Sequence, residues 1–163
     1  MKLKLATVLL AIAVPLVFAQ HNSMADQDTA TTAAKQLALG TLMYTQDADD
    51  KFPSTAWQSG GTYPYVKNLS VYMPFPGDKP AETFTYRYKG SRPVTVKTAF
   101  VMNPALYGKL TTSLKAAGQT VMWSYGPRKH LGYVFNGKTL IAFTDGHVKL
   151  ITKAEAQKLR WKP

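Results

Sequence analysis

The chain has 163 residues, 45% of them hydrophobic, with no cysteine and a formal net charge of +11. Without cysteine it can form no disulfide bond and carry no lipid-modified cysteine, so packing alone must stabilise the fold. A chain of this length is sufficient for one domain with its own core.

Residues 1–19 are typical of a secretory signal peptide. A short basic start precedes the apolar stretch 5–18, and small residues allow cleavage before Gln20. The apolar run is interrupted by Pro15 and is shorter than the roughly twenty residues that a membrane-spanning helix needs. We therefore expect the mature chain, residues 20–163, to be a single secreted or periplasmic domain with no integral membrane span. An uncleaved anchor is the alternative.

The first predicted element is a long helix over residues 26–47, within a helical region 20–51. This segment contains no proline and consists mostly of good helix formers. Small and apolar residues recur three and four positions apart, which indicates one buried stripe that can approach a sheet closely. The stripe consists of Ala30, Ala33, Ala34, Leu37, Gly40, Thr41 and Tyr44. Acidic residues and Pro53 predict the end of the helix, because acids oppose the dipole there and proline forbids continuation.

An irregular region follows at residues 52–80, rich in proline and aromatic residues, with one short helix expected near 65–68. The sheet region is predicted at 81–151. Alternating apolar and polar residues indicate strands at 83–88, 94–102 and 120–125, with a short helix at 110–117. A capping box at Thr152 and Glu155 opens a C-terminal helix in 152–163, running to about Trp161.

Two dipeptides predict hairpin turns near the C-terminus. Asn136-Gly137 and Asp145-Gly146 are the strongest sequence signals for two-residue type I′ turns, in which both central residues have positive φ. The second turn would pair Phe143 with Val148 and Ile141 with Leu150. The first would pair Val134 with Thr139 and add a third strand. The expected fold class is α+β, with a long N-terminal helix packed on an antiparallel sheet that ends in a three-stranded meander.

Four segments resemble a large bacterial pseudopilin-like family, which has a prepilin-type leader and a C-terminal motif of His, nine residues, then Asp-Gly. They read KQLALG at 35–40, MYTQDADDKFP at 43–53, YVKN at 65–68 and FTDGHVK at 143–149. The resemblance implies the pilin architecture, in assembly components or secreted surface proteins without established catalysis. The leader departs from the family, because it lacks the family's Gly before Phe-Thr-Leu-Ile-Glu.

The C-terminal motif also departs from the family. Fourteen residues separate His130 from Asp145, instead of the family's nine. The excess is residues 131–135, which the hairpin analysis assigns to the extra strand.

Two groups of side chains are weak candidates for a metal site. Asp47, Asp49 and Asp50 offer the oxygen ligands that Ca²⁺ prefers, and the resemblance adds that pseudopilins of secretion systems bind calcium in sheet loops. Adjacent acids lack the spacing of a dedicated calcium loop, however, and solvated carboxylates at a helix end are the preferred interpretation.

The second metal candidate combines imidazoles with a carboxylate. His130, Asp145 and His147 carry ligands that suit zinc. A structural turn is preferred here as well, with His147 opposite Thr144 and facing away from Phe143. We therefore predict no metal and no cofactor, with calcium as the remaining alternative.

Charge is distributed unevenly along the chain. Residues 20–85 contain seven acids and four bases, whereas residues from 86 onward contain fourteen bases and only two acids. Basic residues alternate with aromatic ones in this second part, as in surfaces that bind polyanions by charge and stacking. The candidate binding residues are Arg87, Lys89, Arg128 and Lys129. A solubilising surface is the simpler interpretation.

The sequence thus predicts an exported, non-enzymatic, pseudopilin-like accessory, structural or binding protein of the bacterial envelope, with protein partners there. The alternative is a binding module for an acidic polysaccharide or extracellular DNA. A metal-dependent hydrolase is a third hypothesis, although no catalytic motif supports it.

Overall fold

The computed structural model describes residues 19–54, 61–87, 92–126 and 130–163. These residues form an α+β fold with one long helix and two antiparallel sheets, which confirms the expected fold class at that level. The leader, apart from Ala19, lies outside the described residues. Within the described ranges, no helix combines the length and the apolar character needed to cross a membrane.

Helix α1 spans Met24–Asp47. The Ser23 hydroxyl caps it by accepting a hydrogen bond from the Asp26 N–H at 3.0 Å. The predicted stripe is buried except at Tyr44, which is only half-buried, while Ala38 and Thr45 join it. At the far end Asp49 and Asp50 have φ of 51° and 58°, so the chain leaves the helix through two left-handed residues.

The strands and short helices follow α1 in chain order. Two single-turn helices, α2 (Tyr63–Val66) and α3 (Leu69–Tyr72), replace the one expected near 65–68. Strands β1 (Glu82–Tyr86) and β2 (Val94–Thr98) form a two-stranded sheet. The main sheet has the order β3-β4-β5-β6, with the strands Phe100–Met102, Val121–Tyr125, Lys138–Phe143 and Val148–Thr152.

Helix α1 packs on the main sheet through a fully buried side chain. Trp123 of β4 is 1% exposed, and its indole N–H donates to the Thr41 hydroxyl at 2.9 Å. Because a buried indole nitrogen needs an acceptor, this contact fixes both the distance and the rotation of the helix. The small residues of α1 leave room for that ring.

The predicted register of the last hairpin is wrong by one residue. Ala142 lies opposite Val148, and Ile141 lies opposite Lys149. Asp145 does not have positive φ, whereas Gly146 has φ of 91°, and the Phe143 N–H donates to the His147 carbonyl at 2.9 Å. These features define a three-residue loop with a bulge, the other turn that an Asp-Gly pair can form. The shift moves each β6 side chain to the opposite face.

The Asn136-Gly137 turn is confirmed as type I′, with φ of 49° and 71°. Phe135 and Lys138 exchange both backbone hydrogen bonds across it, at 3.1 and 2.9 Å. The predicted extra strand at 131–135 is wrong, because only this single bridge forms. Strand β4 pairs with the edge of β5 at which the extra strand was predicted. The meander therefore has the four strands β3 to β6 instead of the predicted three.

Three other predictions change in detail. Residues 94–102 divide into β2 and β3 at Ala99, whose N–H donates to the Tyr72 carbonyl at 2.8 Å. The helix expected at 110–117 is instead a pair of 3₁₀ turns, Thr111–Ser113 and Ala117–Gln119. The capping box at Thr152 is confirmed, but the helix it opens, α4 (Lys153–Ala156), is one turn long. The tail then follows β4, where the Val121 N–H donates to the Arg160 carbonyl at 2.9 Å.

Candidate functional site

The acidic residues at the end of α1 comprise one hydrogen-bonded carboxylate and two exposed residues. Asp47 accepts a hydrogen bond from the Tyr65 hydroxyl at 2.6 Å, and this bond raises the pKa of Tyr65 to about 12. Asp49 and Asp50 are exposed. Within the described ranges, no group of three or more histidine, aspartate or glutamate side chains is arranged to hold a metal ion.

The second candidate group separates into a pair and a single residue. Asp145 accepts hydrogen bonds from the His147 ring Nδ1 at 2.7 Å and from the His147 backbone N–H at 3.1 Å. Burial would raise the pKa of Asp145, but these two bonds outweigh it and the pKa is lowered. His130 is exposed in the segment between β4 and β5. Asp145 and His147 therefore act as a pair that closes the hairpin turn.

The position of His147 differs from the expectation. Its ring stacks on Phe143, with centroids 4.2 Å apart and planes at 8°. The sequence analysis placed the two residues on opposite faces. The contact follows directly from the register shift, because Phe143 and His147 are partners across the three-residue loop.

A cleft of about 450 Å³ opens beside this pair. Its lining combines basic, acidic, amide and apolar side chains from the 3₁₀ turn at 117–119, from the β5–β6 hairpin and from the segment after α4. The lining residues are Gly118, Gln119, Phe143, His147, Lys149, Ile151, Glu155, Lys158 and Leu159. A volume of this size is typical of small-ligand sites.

Only one of the four predicted binding residues can be placed. Arg87 is exposed directly after β1, next to the half-buried Tyr86, whose ring lies 5.9 Å from that of Tyr63. Lys89, Arg128 and Lys129 lie outside the described residues. The structure therefore leaves the proposed grouping of these four side chains untested.

One buried polar cluster was not anticipated. The Asp78 carboxylate contacts the His21 ring Nε2 at 3.0 and 3.1 Å and accepts a hydrogen bond from the Tyr125 hydroxyl. His21 also stacks on Phe75, with centroids 3.6 Å apart. Burial, together with the bond to Asp78, raises the pKa of Tyr125. The cluster attaches the N-terminal segment to the sheet, and no sequence motif marks it because its members are far apart in the chain.

The hairpin turn makes a testable prediction. We expect Gly146→Val to destabilise the domain by about 2 kcal/mol, because a β-branched residue is strained at positive φ. An added Cβ would also lie 3.3 Å from the Leu42 side chain. His147→Ala should cost less than about 1 kcal/mol, since the imidazole is exposed. Thermal melts of both variants measure the difference. Equal losses would mean that His147 is ligated or more deeply packed than its geometry indicates.

Comparisons with known proteins identify no relative. No protein-family model, curated protein or solved structure matches the chain.

Proposed function

We propose that the protein is an exported, non-enzymatic, pilin-like accessory, structural or binding protein of the bacterial envelope. The observation that carries this proposal is the long helix α1 lying on an antiparallel sheet, with the Trp123–Thr41 hydrogen bond at their contact. The pseudopilin-like segments of the sequence fall on this framework. KQLALG lies within α1 and FTDGHVK forms the β5–β6 turn.

The contacts of residues 19–22 are compatible with cleavage of the leader before Gln20. Ala19 and Gln20 are exposed, whereas His21 is buried and its N–H donates to the Val134 carbonyl at 2.8 Å. Asn22 accepts hydrogen bonds from the backbone N–H and the side-chain amide of Asn136, both at 3.0 Å. These contacts involve only residues after Gln20, so cleavage before Gln20 leaves them intact.

We therefore expect the exported protein to begin at Gln20. Mass spectrometry of the N-terminal peptide from the soluble envelope fraction and from the membrane fraction measures this directly. Replacing Ala19 by a bulky residue such as Phe should block processing, because signal peptidase requires a small residue before the cut. Recovery of the intact residues 1–19 in the membrane fraction of the unaltered protein would contradict the proposal.

A polyanion-binding module is the second candidate function, favoured by the excess of basic residues after residue 85 and by the exposure of Arg87 beside Tyr86. If it is correct, the affinity for an anionic polymer should fall steeply with added salt.

Replacing Arg87, Lys89, Arg128 and Lys129 by Gln should then weaken binding. It should also reduce the slope of log affinity against log salt concentration by about one unit for each phosphate or carboxylate contact that is lost. A titration at several salt concentrations measures both quantities. The matched control replaces Lys35, Lys51, Lys67 and Lys79, which are exposed and are the four basic residues of 20–85. An equal effect of both sets would indicate a general charge effect rather than a site.

A further inference from the structure

The cleft beside the β5–β6 hairpin has an apolar base. Phe143 and Ile151, which are 6% and 2% exposed, belong to a small apolar cluster with Val121 and Ile141, and Leu159 packs against it. This cluster is separate from the larger core under α1. Phe143 and Ile151 therefore offer little surface to a ligand, and the half-buried Leu159 is the main apolar contact in the cleft.

His147 is oriented at the rim by its neighbour. Because the ionised carboxylate of Asp145 can only accept, the bond at 2.7 Å assigns the ring proton to Nδ1. In the neutral form of the ring, the other nitrogen, Nε2, is an acceptor suited to a hydroxyl donor. The stack on Phe143 holds the ring in place from below.

Basic residues are frequent in the segment 149–163, which supplies part of the cleft lining. Residues 149–163 contain five basic side chains and one acidic side chain, and all of them belong to the described residues. Two of the five, Lys149 and Lys158, line the cleft itself. Glu155 accepts a hydrogen bond from Lys149 at 3.2 Å, and it also closes the capping box with Thr152. The bond with Glu155 holds Lys149 at the rim, and Lys158 adds a second cation.

We propose that this cleft binds a uronic acid unit of an acidic polysaccharide. The sugar carboxylate would contact Lys149 and Lys158, a ring hydroxyl would donate to His147 Nε2, and the carbon face of the ring would lie on Leu159. This inference rests on the second candidate function and deepens it, because it assigns the binding site to the cleft. The earlier candidate site, here called the Arg87 group, consists of Arg87, Lys89, Arg128 and Lys129.

The lining favours a sugar over a nucleic acid. Binding of single-stranded nucleic acid relies on several aromatic rings along a basic groove. The only aromatic side chain in the cleft lining besides the His147 imidazole is Phe143, which is 6% exposed and already stacked on His147, and Trp161 is absent from the lining. A hydroxyl acceptor, two lysines and a small apolar contact instead suit a single polar ring with one negative charge.

The test uses the full exported chain and three probes, namely polygalacturonate, neutral dextran and single-stranded oligothymidylate. Calorimetric titration at low salt measures the affinity for each. The variant Lys149→Gln/Lys158→Gln removes both cleft cations, and Lys35→Gln/Lys109→Gln makes the same charge change at exposed positions elsewhere. Thermal melts check that both variants fold.

We expect the parent protein to bind polygalacturonate and not dextran. The cleft variant should bind polygalacturonate at least about tenfold more weakly, because it lacks the charge-assisted hydrogen bonds of the two lysines. The control variant should change affinity by much less. Tighter binding of oligothymidylate than of polygalacturonate would overturn the ligand class. Polygalacturonate binding that is lost in the Arg87 group variant but kept in the cleft variant would overturn this site and leave the second candidate function standing. No binding of any anionic probe would overturn both.

Discussion

Gly126→Ala is expected to destabilise the domain more than alanine at any other glycine within the described residues. Gly126 directly follows β4 and has φ of 106°, and an added Cβ would lie 2.4 Å from the Gly132 nitrogen and 2.9 Å from the His130 carbonyl oxygen. Both neighbours are backbone atoms, so relief requires moving the chain. Positive-φ strain and overpacking together predict a loss of about 3 kcal/mol or more.

The contacts around Gly126 explain why the chain cannot move easily. Its N–H donates to the Ala99 carbonyl, and the Gly132 N–H donates to the Tyr125 carbonyl, both at 2.9 Å. A shift that frees the Cβ would break these bonds, which join β3, β4 and the returning segment.

Two other glycines provide graded controls for Gly126→Ala. Gly137 has φ of 71° and no neighbour within 4 Å of an added Cβ, so Gly137→Ala should cost about 1 kcal/mol, from backbone strain alone. Gly77 has neither feature, and Gly77→Ala should leave stability nearly unchanged. Denaturant unfolding of the three variants measures the series. A loss at Gly126 no larger than at Gly137 would show that the close approach to Gly132 is absent in solution.

The parts of the fold that depend on neighbouring residues could be predicted from the sequence. Helix α1 follows from a periodic stripe of good helix formers, and the capping box at Thr152 follows from two side chains three residues apart. The Asn136-Gly137 turn also depends only on local chemistry, because both residues tolerate positive φ.

The register of the last hairpin could not be predicted in this way. An Asp-Gly pair is compatible with a type I′ turn and with a three-residue loop that ends in a glycine bulge. The choice depends on the Asp145 side chain, which accepts the His147 N–H and favours the longer loop. The same choice brings His147 onto Phe143, so the error in register and the error in the position of His147 have one cause.

Pairings distant in sequence account for the other differences. Residues 131–135 could form a strand locally, but β4 provides five buried residues and takes the edge of β5 instead. The cluster of His21, Asp78 and Tyr125 joins residues separated by 57 and 47 positions. A single sequence carries no local pattern for such contacts, and only the packed structure reveals them.

Asp78→Ala is expected to produce the second large loss of stability. The Asp78 side chain is 7% exposed and that of His21 is 11% exposed, so water cannot readily replace the missing carboxylate. The substitution leaves the His21 ring N–H and the Tyr125 hydroxyl without their acceptor. Two buried donors without a partner predict a loss of about 4 kcal/mol. Asp28→Ala, the same truncation at an exposed position of α1, should change stability by less than about 0.5 kcal/mol.

A double-mutant cycle separates the hydrogen bond from a general packing effect. Tyr125→Phe alone removes the donor and keeps the ring, so it should cost about 1 kcal/mol. In the Asp78→Ala background the same change should cost nothing or stabilise the domain, because it removes a buried hydroxyl that no longer has an acceptor. Chemical denaturation of the four proteins gives the coupling energy. Additive losses would mean that Asp78 stabilises the N-terminal segment without its bond to Tyr125, and that the cluster does not act as one unit.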